Sequence, residues 1–457
     1  MFLYLLLTIL VTSSFAVRFP RWPHRRLTDD IINNFQPFRY DREILGKLEK
    51  IGKNHFRIDT IPTQEIVKRI YSVSGFPKVS QILKLDIHYP AYTMEIPHFV
   101  TLEDKAWFDS WNSTSNAHKD LKSCKENKIS KLCLLADPNY ETYYGSAHFT
   151  RGSLTSYWNV IIDPTKGECS DQDYGKIISF DDKSPPLLQK AAFLKVYDGW
   201  SFQHFVDRAM PKLSQAKHWL ERYDKKDLFI LSQNHLDDMV PKLFRQYGFN
   251  NSHILDYPKP VKVKEFLEIC NAPFIHPVLW QSMRTEMLKG ISPKSVADRK
   301  KIIYLQRSSE TAENALRQPI QEPEILSLLY QIPGYELVIF DHKKYASVIE
   351  IAELMSSAAL VIGPHGGAFT NNIMLPAGTV IVELLPKGID QTIFWMGSRA
   401  LSHVYWMVPC EGQWNSVNID CDLNKIKSIV HWHLLDIETS ILGGKCDPYN
   451  VWGMKSF

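Results

Sequence analysis

The chain has 457 residues, 44% hydrophobic and 23% charged, close to the average of folded soluble proteins, which excludes a disordered chain, a collagen-like repeat and a multi-span membrane protein. With 53 Lys and Arg against 50 Asp and Glu, the net charge is +3, too small a basic field to argue for nucleic acid. At roughly 150 residues per domain, two or three domains are expected.

Residues 1–17 (MFLYLLLTILVTSSFAV) are apolar and uncharged. The run is shorter than the roughly 20 residues that span a bilayer, and Ser14-Phe15-Ala16 puts small residues where a signal peptidase cleaves. Arg18, Arg21, Arg25 and Arg26 follow the run, whereas an anchored type II protein carries its positive charge before it. A signal peptide over 1–16 is therefore expected, delivering the chain to the lumen of the endoplasmic reticulum or Golgi, or outside the cell. An uncleaved anchor is the alternative, and the only one that brings in a membrane. A lumenal address suits the seven cysteines, which allow at most three disulfides. Cys124–Cys133 and Cys410–Cys421 are the closest pairs and the expected local bridges. Glycosylation sequons stand at Asn112 and Asn250.

Residues 17–185 read as an irregular extension, short apolar pieces broken by Pro, Asn, Ser and Lys. From about 189, strand and helix signals alternate. Residues 191–197 read as a strand, and 202–213 place Phe202, Phe205, Val206, Ala209, Met210 and Leu213 on one helical face. A strand at 227–231, a helix at 236–247 and a short strand at 253–257 follow. Residues 289–301, polar with Gly290 and Pro293, read as a linker. The pattern then restarts, with strands at 301–305, 336–340, 358–362 and 380–385 and helices at 324–330, 348–356 and 423–440. Two α/β domains in series are expected, at 186–290 and 300–457, built from βαβ units on parallel sheets.

The densest motif is 358–385, AALVIGPHGGAFTNNIMLPAGTVIVELL. A buried strand ends at Ile362, a GPHGG turn follows and a helix is expected to start near Ala368. Glycine lets backbone approach an anion, and a helix N-terminus presents free N–H groups. His365 in that turn is placed to donate to a diphosphate, or is the core histidine of a plain tight turn. Glu383 lies near the end of the next apolar run, where an unpaired carboxylate is costly. Ribose hydroxyls would satisfy it, as would a structural ion pair. His204 and Asp207, three apart near a helix start, share one helical face. A carboxylate beside an imidazole raises its basicity and fixes its tautomer, so the two form a base or a solvated capping pair.

Asp171/Asp173 and Asp420/Asp422 fit a metal-holding D-x-D, but neither follows a buried strand. They read as loop or helix-start aspartates, and no metal is expected. His431 and His433 lie on different faces of the last helix, a poor ligand geometry. Tyr405, Trp406 and Met407 read as core.

The decapeptide Gly363-Pro364-His365-Gly366-Gly367-Ala368-Phe369-Thr370-Asn371-Asn372 is followed by Leu375-Pro376-Ala377-Gly378-Thr379-Val380-Ile381-Val382-Glu383-Leu384. Together they resemble the signature of glycosyltransferase family 61, G-x-H-G-A-G-L-T-N and then P-x-G-x-x-V-x-E-L. Gly367-Ala368-Phe369 departs from the usual Ala-Gly-Leu. Ile303-Tyr304-Leu305-Gln306-Arg307 is similar to the family's Y-x-x-R strand end. Residues 198–213 resemble its H-x-x-x-D/E-x-x-P helix, with the acid three residues after His204.

The resemblance covers roughly 190–420. It implies a GT-B-like α/β fold, two Rossmann-like domains facing a cleft with the nucleotide sugar on the C-terminal one. It further implies an inverting transfer of GlcNAc or xylose from a UDP-sugar, a co-substrate rather than a resident cofactor, to a hydroxyl of a glycoprotein or glycan. Arg307, His365, Gly366, Gly367, Thr370, Asn371 and Glu383 then take the nucleotide sugar, and His204 and Asp207 supply the base across the cleft. A non-catalytic relative, a lectin or scaffold with this fold, is the competing reading. An NAD enzyme is unsupported, since no early G-x-G-x-x-G with a later acid occurs.

Overall fold

Eight strands of a computed structural model form the first sheet: β1 (Glu49–Gly52), β2 (His55–Ile58), β3 (Leu83–His88), β4 (Arg151–Ile162), β5 (Leu187–Phe193), β6 (Leu228–Leu231), β7 (Ile254–Leu255) and β8 (Val261–Cys270). Their order is β1-β2-β3-β4-β8-β5-β6-β7. The structure describes 49–52, 55–58, 83–89, 92–95, 97–114, 132–135, 141–142, 145–148, 151–162 and most of 187–435. The signal peptide over 1–16, Cys124 and hence its bridge to Cys133, and the Asp171/Asp173 pair lie outside the described residues.

Strands within 49–162 stand where the sequence suggests irregular chain. β4 (RGSLTSYWNVII) is antiparallel to β3 and, over its length, to β8. Its Thr, Tyr, Trp, Val and Ile favour a strand, but Gly152, Ser153, Ser156 and Asn159 interrupt the apolar pattern. β8 (VKVKEFLEIC) runs parallel to β5, and β5, β6 and β7 are parallel in turn.

The second sheet comprises β9 (Lys301–Tyr304), β10 (Glu336–Ile339), β11 (Ala358–Pro364), β12 (Val380–Gly388) and β13 (Val404–Gln413), all parallel, in the order β10-β9-β11-β12-β13. Alternate residues serve opposite faces. Ile302, Tyr304, Leu360, Ile362, Val382 and Leu384 pack on Ile325, Leu329, Ile426 and Ile429. Ile303, Val361 and Ile381 are as deeply buried on the other side. Burial on both faces is why these strands read as unbroken apolar runs, and each fully buried side chain contributes about 1.5–3 kcal/mol.

Counted from the first strand, the order is 2-1-3-4-5, the doubly wound arrangement whose connections leave β9 and β11 in opposite directions. That opens a crevice beyond the carboxyl ends of β9 and β11.

The helices are α1 (Leu102–Thr114), an interrupted α2, α3 (Met239–Gln246), α4 (Pro277–Met287), α5 (Glu322–Tyr330), α6 (Val348–Ser356), α7 (Ile393–Ala400) and α8 (Leu423–Val430). α6 starts where Ser347 accepts from the Glu350 amide and Glu350 reaches back to Ala346, a reciprocal cap. α2 is α-helical at Phe202–His204, π-helical at Phe205–Ala209 and α-helical again at Met210–Leu220, where a regular helix is expected. α8 likewise passes into a π segment, His431–Leu435, and its expected continuation to 440 lies outside the described residues. Both sheets belong to a single compact unit. α4 joins them, since Trp280 rests on Gly397 of α7 and Gln281 and Arg284 donate to the Ala400 and Leu401 carbonyls at 2.9 and 3.0 Å. No helix among the described residues is long and apolar enough to cross a membrane.

Candidate functional site

Two glycines show how closely the crevice is built. At Gly363 a Cβ would lie 2.6 Å from the Leu305 carbonyl oxygen, so β9 and β11 touch backbone to backbone there. At Gly366 a Cβ would fall 1.9 Å from Arg307 Nη1. The Arg307 guanidinium therefore lies on the bare backbone of the turn, and its Nε donates to the Leu316 carbonyl at 2.9 Å.

A second cation joins it. Arg317, left-handed at φ 66°, donates from Nε to the His365 carbonyl at 3.1 Å and from Nη1 to the Trp414 carbonyl at 2.9 Å. Burial, then the nearby Arg307 charge, pull its pKa down to about 10, with Glu383 opposing. Burial lowers Arg307 as well. Both remain charged at neutral pH, and two guanidinia at one turn favour an anion between them. Sequence reasoning missed Arg317; the available signal is a second arginine shortly after the strand-end Arg307.

His365 and Glu383 are both buried, and they meet each other. His365 Nδ1 donates to Glu383 Oε1 at 2.5 Å, Tyr405 donates to Glu383 Oε2, and His365 Nε2 lies 3.3 Å from Gln391 Oε1. His365 and Glu383, expected at a diphosphate and at ribose hydroxyls, here pair with each other as a buried brace beneath the turn. The β11–β12 register, with Gly363 opposite Glu383, brings them together, and an ionised carboxylate at this depth needs such partners. Tyr405, Trp406 and Met407 are core, as expected, although Tyr405 also serves this brace.

Beyond the turn, Gly367–Met374 is a 3₁₀ segment rather than an α-helix. The Phe369 amide bonds the Gly366 carbonyl and the Leu375 amide the Asn372 carbonyl, both at 3.0 Å, the three-residue step of the tighter helix. Asn371 Nδ2 donates to the Ala368 carbonyl at 2.9 Å. Thr370 Oγ1 and Asn371 Oδ1 are buried without a hydrogen-bond partner.

The start of α2 reaches this segment. Gln203 Oε1 lies 3.3 Å from where a Gly367 Cβ would stand. Ser201 caps the helix through the His204 amide at 3.4 Å. His204 Nδ1 sits 3.5 Å from Asp207 Oδ2, an ion-pair distance rather than a tight hydrogen bond, and Arg208 Nε lies 3.8 Å from Asp207 Oδ1. His204 is 31% exposed and Asp207 only 1%. Burial raises the Asp207 pKa, opposed by His204 and then by Arg208 and Gln203. Asp207 lines a cavity of about 10 Å³ with Trp280, Phe369, Thr370, Asn372, Ile393 and Phe394, room for about one water. Asp207 thus sits in the π segment, which is frequent at functional sites.

The remaining motifs are structural. Asp420 accepts from Gln321 at 2.5 Å and Asp422 caps α8 through the Asn424 amide at 2.9 Å. His433 accepts from the Trp406 indole at 2.8 Å. Cys410 and Cys421 form the expected disulfide, and Cys270 is disulfide-bonded too. Asn250 is exposed after α3, and Asn112 lies on α1.

A comparison with protein families matches the Glycosyltransferase 61 model to residues 202–382. The resemblance to glycosyltransferase family 61 holds. The matched span takes in His204, Asp207, Arg307, Arg317 and the turn, and stops one residue before Glu383. Among curated proteins, protein O-linked-mannose β-1,4-N-acetylglucosaminyltransferase 2 of Xenopus laevis is 29% identical over 97 residues, 19% of this chain. The protein of the same name from Xenopus tropicalis is 27% identical over 97 residues, again 19% of this chain. The match spans 16% of the length of each relative.

Proposed function

We propose that this chain is an inverting glycosyltransferase of GT-B-like architecture, moving a sugar from a UDP-sugar to a hydroxyl of a glycoprotein or glycan in the secretory pathway. The observation that carries the reading is the convergence of Arg307 and Arg317 on the Gly366 turn at the switch point of a doubly wound sheet. Ligands bind open α/β sheets at that point. The family match and the names of the two relatives favour GlcNAc as the sugar, with xylose the alternative, and the Cys410–Cys421 disulfide suits a lumenal compartment.

The diphosphate lies against the turn, where Arg307 and Arg317 neutralise the charge that builds on the departing UDP. His365, Glu383 and Tyr405 hold the turn from below, and Gly366 and Gly367 leave room for Arg307 and Gln203 against its backbone. Thr370 and Asn371 are assigned to the donor, each with a buried polar atom that has no hydrogen-bond partner. His204, the solvent-reaching member of its pair, takes the acceptor hydroxyl's proton as that oxygen attacks the sugar's anomeric carbon from the side opposite UDP. Asp207 orients the ring and stabilises the imidazolium.

Calorimetry with UDP tests the site. Arg307→Ala and Arg317→Ala should each weaken UDP binding about ten- to a hundredfold, the loss of a charge-assisted contact. Wild-type affinity in both variants, or no UDP binding by the unaltered protein, refutes the reading.

A further inference from the structure

Past β13 the chain makes a hairpin with Trp414 at its tip. The tip is pinned from several sides. Glu411 and Asp420 exchange backbone hydrogen bonds at 2.8 and 3.0 Å, and the Cys410–Cys421 disulfide closes the hairpin beneath them. The Gln413 amide donates to Ser416 Oγ at 2.8 Å, and the Arg317 and Gln318 amides donate to the Ser416 and Val417 carbonyls at 2.8 and 3.0 Å.

On this fixed support Trp414 is 47% exposed. The Arg317 guanidinium covers one face, 4.4 Å from the ring centroid, and His365 meets it edge-on at 5.9 Å. A singly exposed aromatic is ordinary. An exposed aromatic locked in one orientation, with one face held by a diphosphate-turn arginine, is a preorganised surface for a second flat ring.

The order of strands says which ring. The diphosphate turn follows β11, Glu383 lies on β12 and Trp414 follows β13. The strand ends of β11 and β13 are two strand spacings apart, roughly 10 Å. The Trp414 ring leans back across that gap to 5.9 Å from the His365 ring and 4.4 Å from the Arg317 guanidinium, so a base on its open face lies about one ribose from a phosphate held by Arg317. We infer that Trp414 is the stacking platform for the nucleobase of the donor, an inference that rests on the nucleotide-sugar reading above. Stacking tolerates any base, so Trp414 supplies affinity for the nucleoside half of the donor rather than choice among bases.

The test compares UDP with inorganic pyrophosphate on the full chain. The unaltered protein should bind UDP more tightly than pyrophosphate, with quenching of tryptophan fluorescence. Trp414→Ala should lose roughly 5- to 100-fold in UDP affinity while binding pyrophosphate as before, and Trp414→Phe should keep most of the UDP affinity. Undiminished UDP binding by Trp414→Ala overturns the inference. Equal losses for UDP and pyrophosphate overturn it too, because Trp414 then acts only by holding Arg317. If the unaltered protein binds pyrophosphate as well as UDP, no base is recognised and the platform is absent. Binding of neither ligand brings down the nucleotide reading itself, and the platform with it.

Discussion

Asp207 is buried beside a half-exposed His204, with Arg208 as its other charged neighbour, so its ionised form is under-solvated in the fold. That is a stability cost carried by the pair proposed for proton transfer. Its pKa is raised on folding, so the carboxyl is easier to protonate in the fold than in the unfolded chain. The stability this gives is complete below the unfolded value of 3.8 and is lost as pH climbs through the native pKa. Asp207→Asn should therefore melt higher than the unaltered protein at pH 7, and the gap should close as pH approaches 4. His204→Ala should keep UDP affinity and melting temperature while losing on the order of 10²–10⁴ in turnover. A destabilised His204→Ala that is fully active per folded molecule would end the proposed role. The His204–Asp207 spacing was legible because both groups lie on one local segment. The His365–Glu383 brace was not, since strand register and Tyr405 create it, and neither was Arg317, whose partners are carbonyls distant in sequence.

Single elements differ in what their glycines protect. At Gly363 an added methyl meets the Leu305 backbone, which has nowhere to go without parting β9 from β11. Gly363→Ala should cost about 1–3 kcal/mol in denaturant unfolding, as overpacking does. At Gly366 the methyl meets only the far end of the Arg307 side chain. Gly366→Ala should unfold near the original midpoint yet weaken UDP about tenfold, as the displaced guanidinium forfeits a charge-assisted bond. Equal effects of the two substitutions on stability would contradict this division. Most of the parallel strands were readable from their apolar runs, with bounds shifted by a few residues, but β8, broken by Lys262, Lys264, Glu265 and Glu268, and β13 were not expected. The π segment of α2 and the 3₁₀ segment after the turn were not, because both share the residue preferences of an α-helix and are set by packing between α2 and the turn.

At the scale of the molecule, four of the five strands of the C-terminal sheet announced themselves in sequence, whereas β4 was hidden by the serines and glycine in its half-apolar run and β1, β2 and β3 by being short and rich in Lys, Arg and His. The seam that α4 makes with the C-terminal sheet has its own electrostatics. His403 is fully buried, its Nε2 donating to the Leu375 carbonyl at 3.2 Å, and Arg399 donates to the His403 carbonyl at 2.9 Å. Burial, and then the Arg284, Arg299 and Arg399 charges, push the His403 pKa from 6.5 down to about 3. A depressed histidine favours the fold in its neutral form. That stability is present above pH 6.5 and drains away as pH falls toward 3, because the unfolded chain takes up the proton first. The melting temperature should thus fall through this window more steeply than carboxylate protonation alone requires. His403→Asn, which keeps a donor for Leu375 but never gains a charge, should be less stable at pH 7 and show a shallower decline on acidification. The two melting curves should converge near pH 4. Parallel pH profiles would place the acid sensitivity elsewhere and leave the seam indifferent to protonation.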